Sequence, residues 1–271
     1  MTTSVTPPGE PPAPPAGVDV SPGPDPARTS LLDVVGPPDP VRVGVIVPHD
    51  MALDGELWRW TPDGVVLHFT RVPYVPLPVT LESAILVGDE VAVGHCVQDL
   101  MTVSPSVYAY ACTSGSFAKG ILGEQGLVES MEAAGAVLAV TTSGALLMAV
   151  EHLGIGRVSI ATPYDEVITS RLTEFLTEAG VSVVGSSCLD LHATIWKVGY
   201  ERTAQLVLDA DSPDTDAVIV SCTNLPTYDL IAPLEQMLGK PVITANQVTM
   251  WAALRVLGQQ PVGPGQRLIA L

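Results

Sequence analysis

Three features of this chain occur twice, in the same order and about 110 residues apart, and this repeat constrains the fold more than anything else in the sequence. Val41–Pro48 (VRVGVIVP) resembles Gly156–Pro163 (GRVSIATP). Tyr110–Thr113 (YACT) resembles Val220–Thr223 (VSCT), and Thr141–Gly154 resembles Thr244–Gly258. Matching segments at a steady spacing imply an internal duplication, and a duplicated α/β unit turns its equivalent loops toward one another.

Short apolar runs rich in β-branched residues predict strands at Val41–Pro48, Gly64–Thr70, Ser106–Ala111, Ala136–Val140, Arg157–Ala161, Val181–Val184, Asp216–Ser221 and Pro241–Thr244. Helical periodicity between them predicts helices at Leu81–Leu100, Thr141–Leu153, Asp165–Glu178, Ala193–Leu208, Leu230–Leu238 and Thr249–Leu257. Strictly alternating strands and helices give parallel sheets with right-handed crossovers and ligand-binding loops at the carboxyl ends of the strands. The expected fold is α/β, with two pseudo-symmetric Rossmann-like lobes, residues 41–154 and 155–271, and an active-site cleft between them. Residues 1–40 carry 12 of the 25 prolines and few large apolar groups, so they are expected to form a disordered tail.

Composition narrows the function. A net charge of -17 with only 12 Lys and Arg leaves no surface for phosphate neutralisation, so a nucleic-acid partner is not expected. Hydrophobic residues make up 47% of the chain, enough to bury a core, yet the longest apolar stretch, Ala136–Val150, is too short to cross a bilayer. The opening MTTSVTPPGE lacks the basic and apolar regions of a secretory signal. Four scattered cysteines form neither a disulfide framework nor a CxxC knuckle, so a reducing cytoplasm is expected and a metal site is not. The glycines of Thr113–Gly126 miss both the Walker and the dinucleotide spacings, and no cofactor is expected.

The repeat pairs Cys112 (Cys-Thr-Ser-Gly) with Cys222 (Cys-Thr-Asn-Leu-Pro), each directly after an apolar strand. A helix beginning there would favour an anion and lower the thiol pKa, so both are expected to be reactive. Two opposed thiols suit reactions at carbon, in which one sulfur adds to carbon or removes a proton while the other exchanges a proton from the opposite side. Racemisation and cis-trans isomerisation both fit. The substrate is expected to be a small carboxylate cradled by Thr113, Ser114, Thr223 and Asn224. His49 and Asp50 follow the first strand and are candidates to line the same cleft, whereas Cys96 and Cys188 lack the strand-Cys-Thr setting and read as inert thiols.

These motifs resemble the aspartate/glutamate racemase superfamily, in the branch of maleate cis-trans isomerase, arylmalonate decarboxylase and the ectoine utilization protein A. The resemblance rests on Gly44–Pro48, Cys112-Thr-Ser-Gly, Thr162-Pro-Tyr164 and Ser221-Cys-Thr-Asn224. It implies a cofactor-independent isomerase in which Cys112 adds to a double bond, Cys222 handles the proton and Tyr164 hydrogen-bonds a substrate carboxylate. Homo-oligomerisation is a further expectation of the resemblance. The decarboxylase lacks a thiol at the position of Cys112, and the amino-acid racemases carry Cys-Asn-Thr there, so Cys112-Thr-Ser favours the isomerases. Maleate isomerase has an asparagine just after its first strand, where this chain has Pro48-His49-Asp50; a carboxylate there works against a dianionic substrate. An amino-acid racemase and a non-catalytic ligand-binding accessory protein of a degradation pathway are the alternatives.

Overall fold

The computed structural model describes Gly36 and residues 38–270, so the proline-rich tail expected over residues 1–40 lies almost entirely outside the described residues. From Asp39 onward the first half runs β1 (Val41–Val47), α1 (Asp54–Leu57), β2 (Val65–Arg71), α2 (Leu81–Val87), α3 (Glu90–Leu100), β3 (Val107–Tyr110), α4 (Thr113–Phe117), α5 (Gly120–Ala133), β4 (Ala139–Thr141) and α6 (Thr142–His152). The second half follows with β5 (Arg157–Thr162), α7 (Glu166–Glu178), β6 (Ser182–Cys188), α8 (Tyr200–Ala210), β7 (Ala217–Val220), α9 (Tyr228–Leu238), β8 (Val242–Thr244), α10 (Ala245–Arg255) and α11 (Arg267–Ala270). Each half holds a four-stranded, wholly parallel sheet, in the orders β2-β1-β3-β4 and β6-β5-β7-β8. The two orders are the same permutation, as a duplication requires. The inner strands β1, β3, β5 and β7 are buried on both faces, which is why they read as continuous apolar runs.

The third repeated segment forms the joint between the sheets. Helix α6 packs on α10, and the Thr142 and Thr249 hydroxyls meet at 2.7 Å inside the contact. Every residue of α10 from Ala245 to Leu254 is buried, so this helix belongs to the core and shows no polar face.

The helices depart from expectation where glycines sit. The single helix expected over Leu81–Leu100 is two, separated by Gly88, with Asp89 capping the second through the Ala92 N–H. The helix expected over Ala193–Leu208 begins only at Tyr200, after Gly199, and a 3-10 turn at Ile195–Lys197 fills the gap. Helix α5 was absent from the expected set because Gly120, Gly123 and Gly126 cost about 1 kcal/mol each relative to alanine; its buried Leu127 and Met131 supply the offsetting packing.

Three carboxylates are buried structurally. Glu56 accepts from the backbone N–H groups of Thr227 and Tyr228, Glu124 from the Thr141 hydroxyl, and Glu235 from the Val242 and Arg267 N–H groups. Burial outweighs these bonds and raises all three pKa values. The folded state therefore binds more protons than the unfolded one above the unfolded carboxyl range, and stability falls as pH rises. The net charge of -17 acts in the same sense. The paired surface carboxylates Asp39, Asp216 and Asp229, whose pKa values are lowered, are solvated and contribute little. Tm is expected to increase as pH is lowered from neutrality toward the unfolded carboxyl range in a calorimetric series; a decrease over that interval would contradict this assignment. No helix among the described residues is long and apolar enough to cross a membrane.

Candidate active site

The loops after β1, β3, β5 and β7 converge on one cleft. Its lining includes His49 and Asp50, then Cys112, Thr113 and Ser114, then Tyr164, and finally Cys222, Thr223 and Asn224. All eight residues singled out from the sequence as catalytic or substrate-binding thus line a single cleft. Cys96 and Cys188 lie outside it, and among the described residues no His, Cys, Asp and Glu side chains gather into a metal-binding set.

Cys112 caps α4, and its carbonyl accepts both the Ser116 N–H and the Ser116 hydroxyl at 2.7 Å, which fixes the turn. Burial pushes the Cys112 thiol up to about 11; the Gly115 N–H and the Ser114 hydroxyl favour the thiolate, while the Asp50 charge adds to the rise. Cys222 has φ of 98°, a left-handed conformation that costs a non-glycine residue on the order of 1–3 kcal/mol. Its sulfur accepts the Asn224 N–H at 3.4 Å. Burial pushes this thiol up to about 12, opposed by the Tyr164 hydroxyl and the Asn224 N–H and assisted by Asp50 and Cys112.

The expectation that helix fields lower both thiol pKa values is therefore reversed. Helix α4 is only five residues long, and no helix starts at Cys222: α9 begins at Tyr228, and the Glu56 carboxylate already occupies its first N–H groups. With no helix field at Cys222 and a short one at Cys112, desolvation decides.

Tyr164 is 2% exposed and shares the cleft with both sulfurs; its pKa is raised well above the ordinary range by burial and then by the charges of Cys222 and Cys112, so its hydroxyl is a neutral donor. The Thr113 hydroxyl is buried without a protein partner, an unmet donor facing the cleft. His49 is half-buried, with its Nδ1 unpartnered and its ring edge-on to Tyr74 at 5.2 Å between centroids. Asn224, expected to contact substrate, is committed elsewhere: its Nδ2 donates to the Asp50 carbonyl at 3.1 Å and its Oδ1 accepts the Ala52 N–H at 2.9 Å. It ties the loop after β1 to the loop after β7, a positioning role.

A family profile described as arylmalonate decarboxylase matches residues 86–269 of this chain. The arylmalonate decarboxylase of Bordetella bronchiseptica is 30% identical over 229 residues, which cover 80% of this chain and 90% of that protein. The chain belongs to the arylmalonate decarboxylase family. The maleate isomerase of Geobacillus stearothermophilus is also similar, 27% identical over 183 residues that cover 63% of this chain and 71% of the relative. A crystal structure of arylmalonate decarboxylase carrying a glycine-to-cysteine and a cysteine-to-serine exchange, in its liganded form, superimposes with a TM-score of 0.77 at 27% identity, over 84% of this chain and 98% of that one. These likenesses bear out the branch of the aspartate/glutamate racemase superfamily that the motifs suggested.

Several residues of this family member were not legible as site residues. The cleft has an apolar wall of Leu77, Val79, Ala84, Val87 and Ile195, drawn from α2, from the chain before it and from the 3-10 turn, none of which carries a chemical motif. Tyr110 ends β3 two residues before Cys112, and its hydroxyl donates to the Val87 carbonyl at 2.8 Å. Gly115, the glycine of Cys-Thr-Ser-Gly, is required by close approach: a Cβ there would stand 2.2 Å from the Tyr110 hydroxyl and 3.0 Å from the Cys112 sulfur. Gly88, where the expected helix breaks, is pressed against the same segment, since its Cβ would meet the Gly115 carbonyl oxygen at 2.2 Å. Gly115→Ala is expected to slow alkylation of Cys112 by about tenfold, through displacement of the thiol seat, with Cys222 little changed. Peptide-resolved iodoacetamide labelling measures both rates, and an unchanged Cys112 rate would contradict the stated role.

Proposed function

We propose that this protein catalyses cofactor-independent isomerisation of a small carboxylate substrate through Cys112 and Cys222. The observation that supports this reading is that two buried thiols, one from the end of β3 and one from the end of its counterpart β7, line the same cleft. In the forward step the Cys112 thiolate forms a bond to one alkene carbon. The displaced electron pair moves to the neighbouring carbon, where the adjacent carboxylate delocalises it, and the Cys222 S–H gives that carbon its proton. Rotation about the resulting single bond is followed by the reverse steps: Cys222 regains its proton, the C–S bond breaks, and Cys112 leaves as thiolate. Tyr164, Thr113, Ser114 and Thr223 hold the carboxylate oxygens and the charge that develops on them, with His49 closing the site beside Tyr74. Free cysteines throughout the described residues suit a reducing compartment, and we place the enzyme in the cytoplasm.

Burial holds the thiols protonated in the empty site, near 11 for Cys112 and 12 for Cys222. Thiolate content in the cleft therefore grows with pH. The expected profile of kcat/KM rises about tenfold per pH unit between pH 7 and pH 10. A flat or falling profile would contradict the assignment of Cys112 as nucleophile.

A screen of maleate, amino acids, arylmalonates and ectoine-derived acids in deuterated water, followed by NMR, tests the reaction type. The proposal expects a geometric isomer. Deuterium entering a stereocentre without any cysteine adduct would mark a racemase, and loss of carbon dioxide would mark a decarboxylase. Binding that survives Cys112→Ser, with no acid ever turned over, would mark a ligand-binding protein.

A further inference from the structure

The charge on the cleft is the feature the reaction does not explain. Among the described lining residues none is Lys or Arg, and the one charged side chain is Asp50. Asp50 is exposed at the rim and, among the described residues, has no hydrogen bond or ion pair to its side chain, so its charge is uncompensated. Its backbone is nevertheless fixed in place. Pro48 precedes the loop, and the Asn224 amide clamps the Asp50 carbonyl and the Ala52 N–H to the segment that carries Cys222. The field of Asp50 reaches both sulfurs, since it raises the pKa of each thiol.

An ionised carboxylate only accepts hydrogen bonds. The remaining polar lining is the hydroxyls of Thr113, Ser114, Tyr164, Thr223 and Ser83, the His49 ring, and the Asn224 amide already committed to Asp50 and Ala52; these neutral groups can supply donors for one carboxylate, and the rest of the wall is apolar apart from the two thiols. A second substrate carboxylate reaching Asp50 would place like charges together in a cleft with no cation to offset them. Resting on the isomerase reading above, we propose that Asp50 is the specificity-determining residue of the cleft, and that the substrate carries a single carboxylate whose far end presents N–H donors, as an amide or an ammonium group, to the Asp50 side chain.

Maleate and its half-amide, maleamate, are nearly isosteric and differ at one end by a carboxylate against an amide, which makes them the probes of choice. Their affinities are read from protection of Cys112 and Cys222 against slow iodoacetamide alkylation, a measurement that needs no turnover, in wild type and Asp50→Asn. Wild type is expected to bind maleamate about tenfold more tightly than maleate, the scale of one partly screened like-charge contact. Asp50→Asn is expected to move that ratio about tenfold or more toward maleate and to speed alkylation of both thiols in the empty site. An equal ratio in the two proteins, or a wild-type preference for maleate, would overturn the proposal. Turnover assays run alongside separate the two readings. A shifted ratio with no isomerisation of any acid in the screen overturns the isomerase and leaves Asp50 as the selector; isomerisation with an unshifted ratio does the reverse.

Discussion

Cys112→Ala and Cys222→Ala are each expected to lower kcat by at least about 10³-fold, the range for removal of a nucleophile or a positioned proton donor, and the double variant to be no slower than the worse single one. Non-additivity is the informative part. If the sulfurs act on one molecule, either loss breaks the same sequence of bond changes. Effects that multiply would indicate independent roles. A stability comparison accompanies the kinetics: because Cys222 sits at φ of 98°, Cys222→Gly should be more stable than Cys222→Ala by about 1 kcal/mol, since glycine takes this conformation without a Cβ penalty. The strand-end strain would then be a cost retained for the position of the thiol.

Glu56→Ala is expected to destabilise the fold by about 3 kcal/mol or more, because it leaves buried donors without an acceptor. The Glu56 side chain, 8% exposed, accepts the Thr227 and Tyr228 N–H groups and the Asn246 side-chain amide. Asn246 in turn donates to the Thr223 carbonyl at 3.0 Å, so the same carboxylate steadies the turn after Cys222 from a distance. Glu56→Gln keeps an acceptor for the two backbone groups and is expected to cost less than half as much. Urea unfolding midpoints at constant m-value measure both. A Glu56→Ala cost below about 1 kcal/mol would show that water replaces the carboxylate freely and that the site is not dry.

Much of the architecture was readable because its causes are local. The strands are short apolar runs, most of them rich in β-branched residues, and all eight expected strands are present, with ends shifted by up to a few residues. The pairing of Cys112 with Cys222 was readable because the duplication repeats both the strand and the threonine that follows it. What was not readable depends on contacts between distant segments. Helix α5 forms despite its glycines because α3 packs against it. The protonated state of the thiols follows from burial, and the helix expected directly after Cys222 starts only at Tyr228, with its first N–H groups held by Glu56, a residue of the other half of the chain. Asn224 looked like a substrate ligand beside its cysteine; only the folded chain brings Asp50 and Ala52 to its amide.

The two-thiol mechanism is tested most directly by peptide mass spectrometry of Cys222→Ser incubated with an acid that the wild type isomerises. With the proton-handling thiol removed, the Cys112 peptide should gain the mass of one whole substrate molecule, and Cys112→Ala treated in the same way should gain none. An unmodified Cys112 in a Cys222→Ser variant that still isomerises the acid, or an adduct on Cys96 or Cys188 in its place, would contradict it.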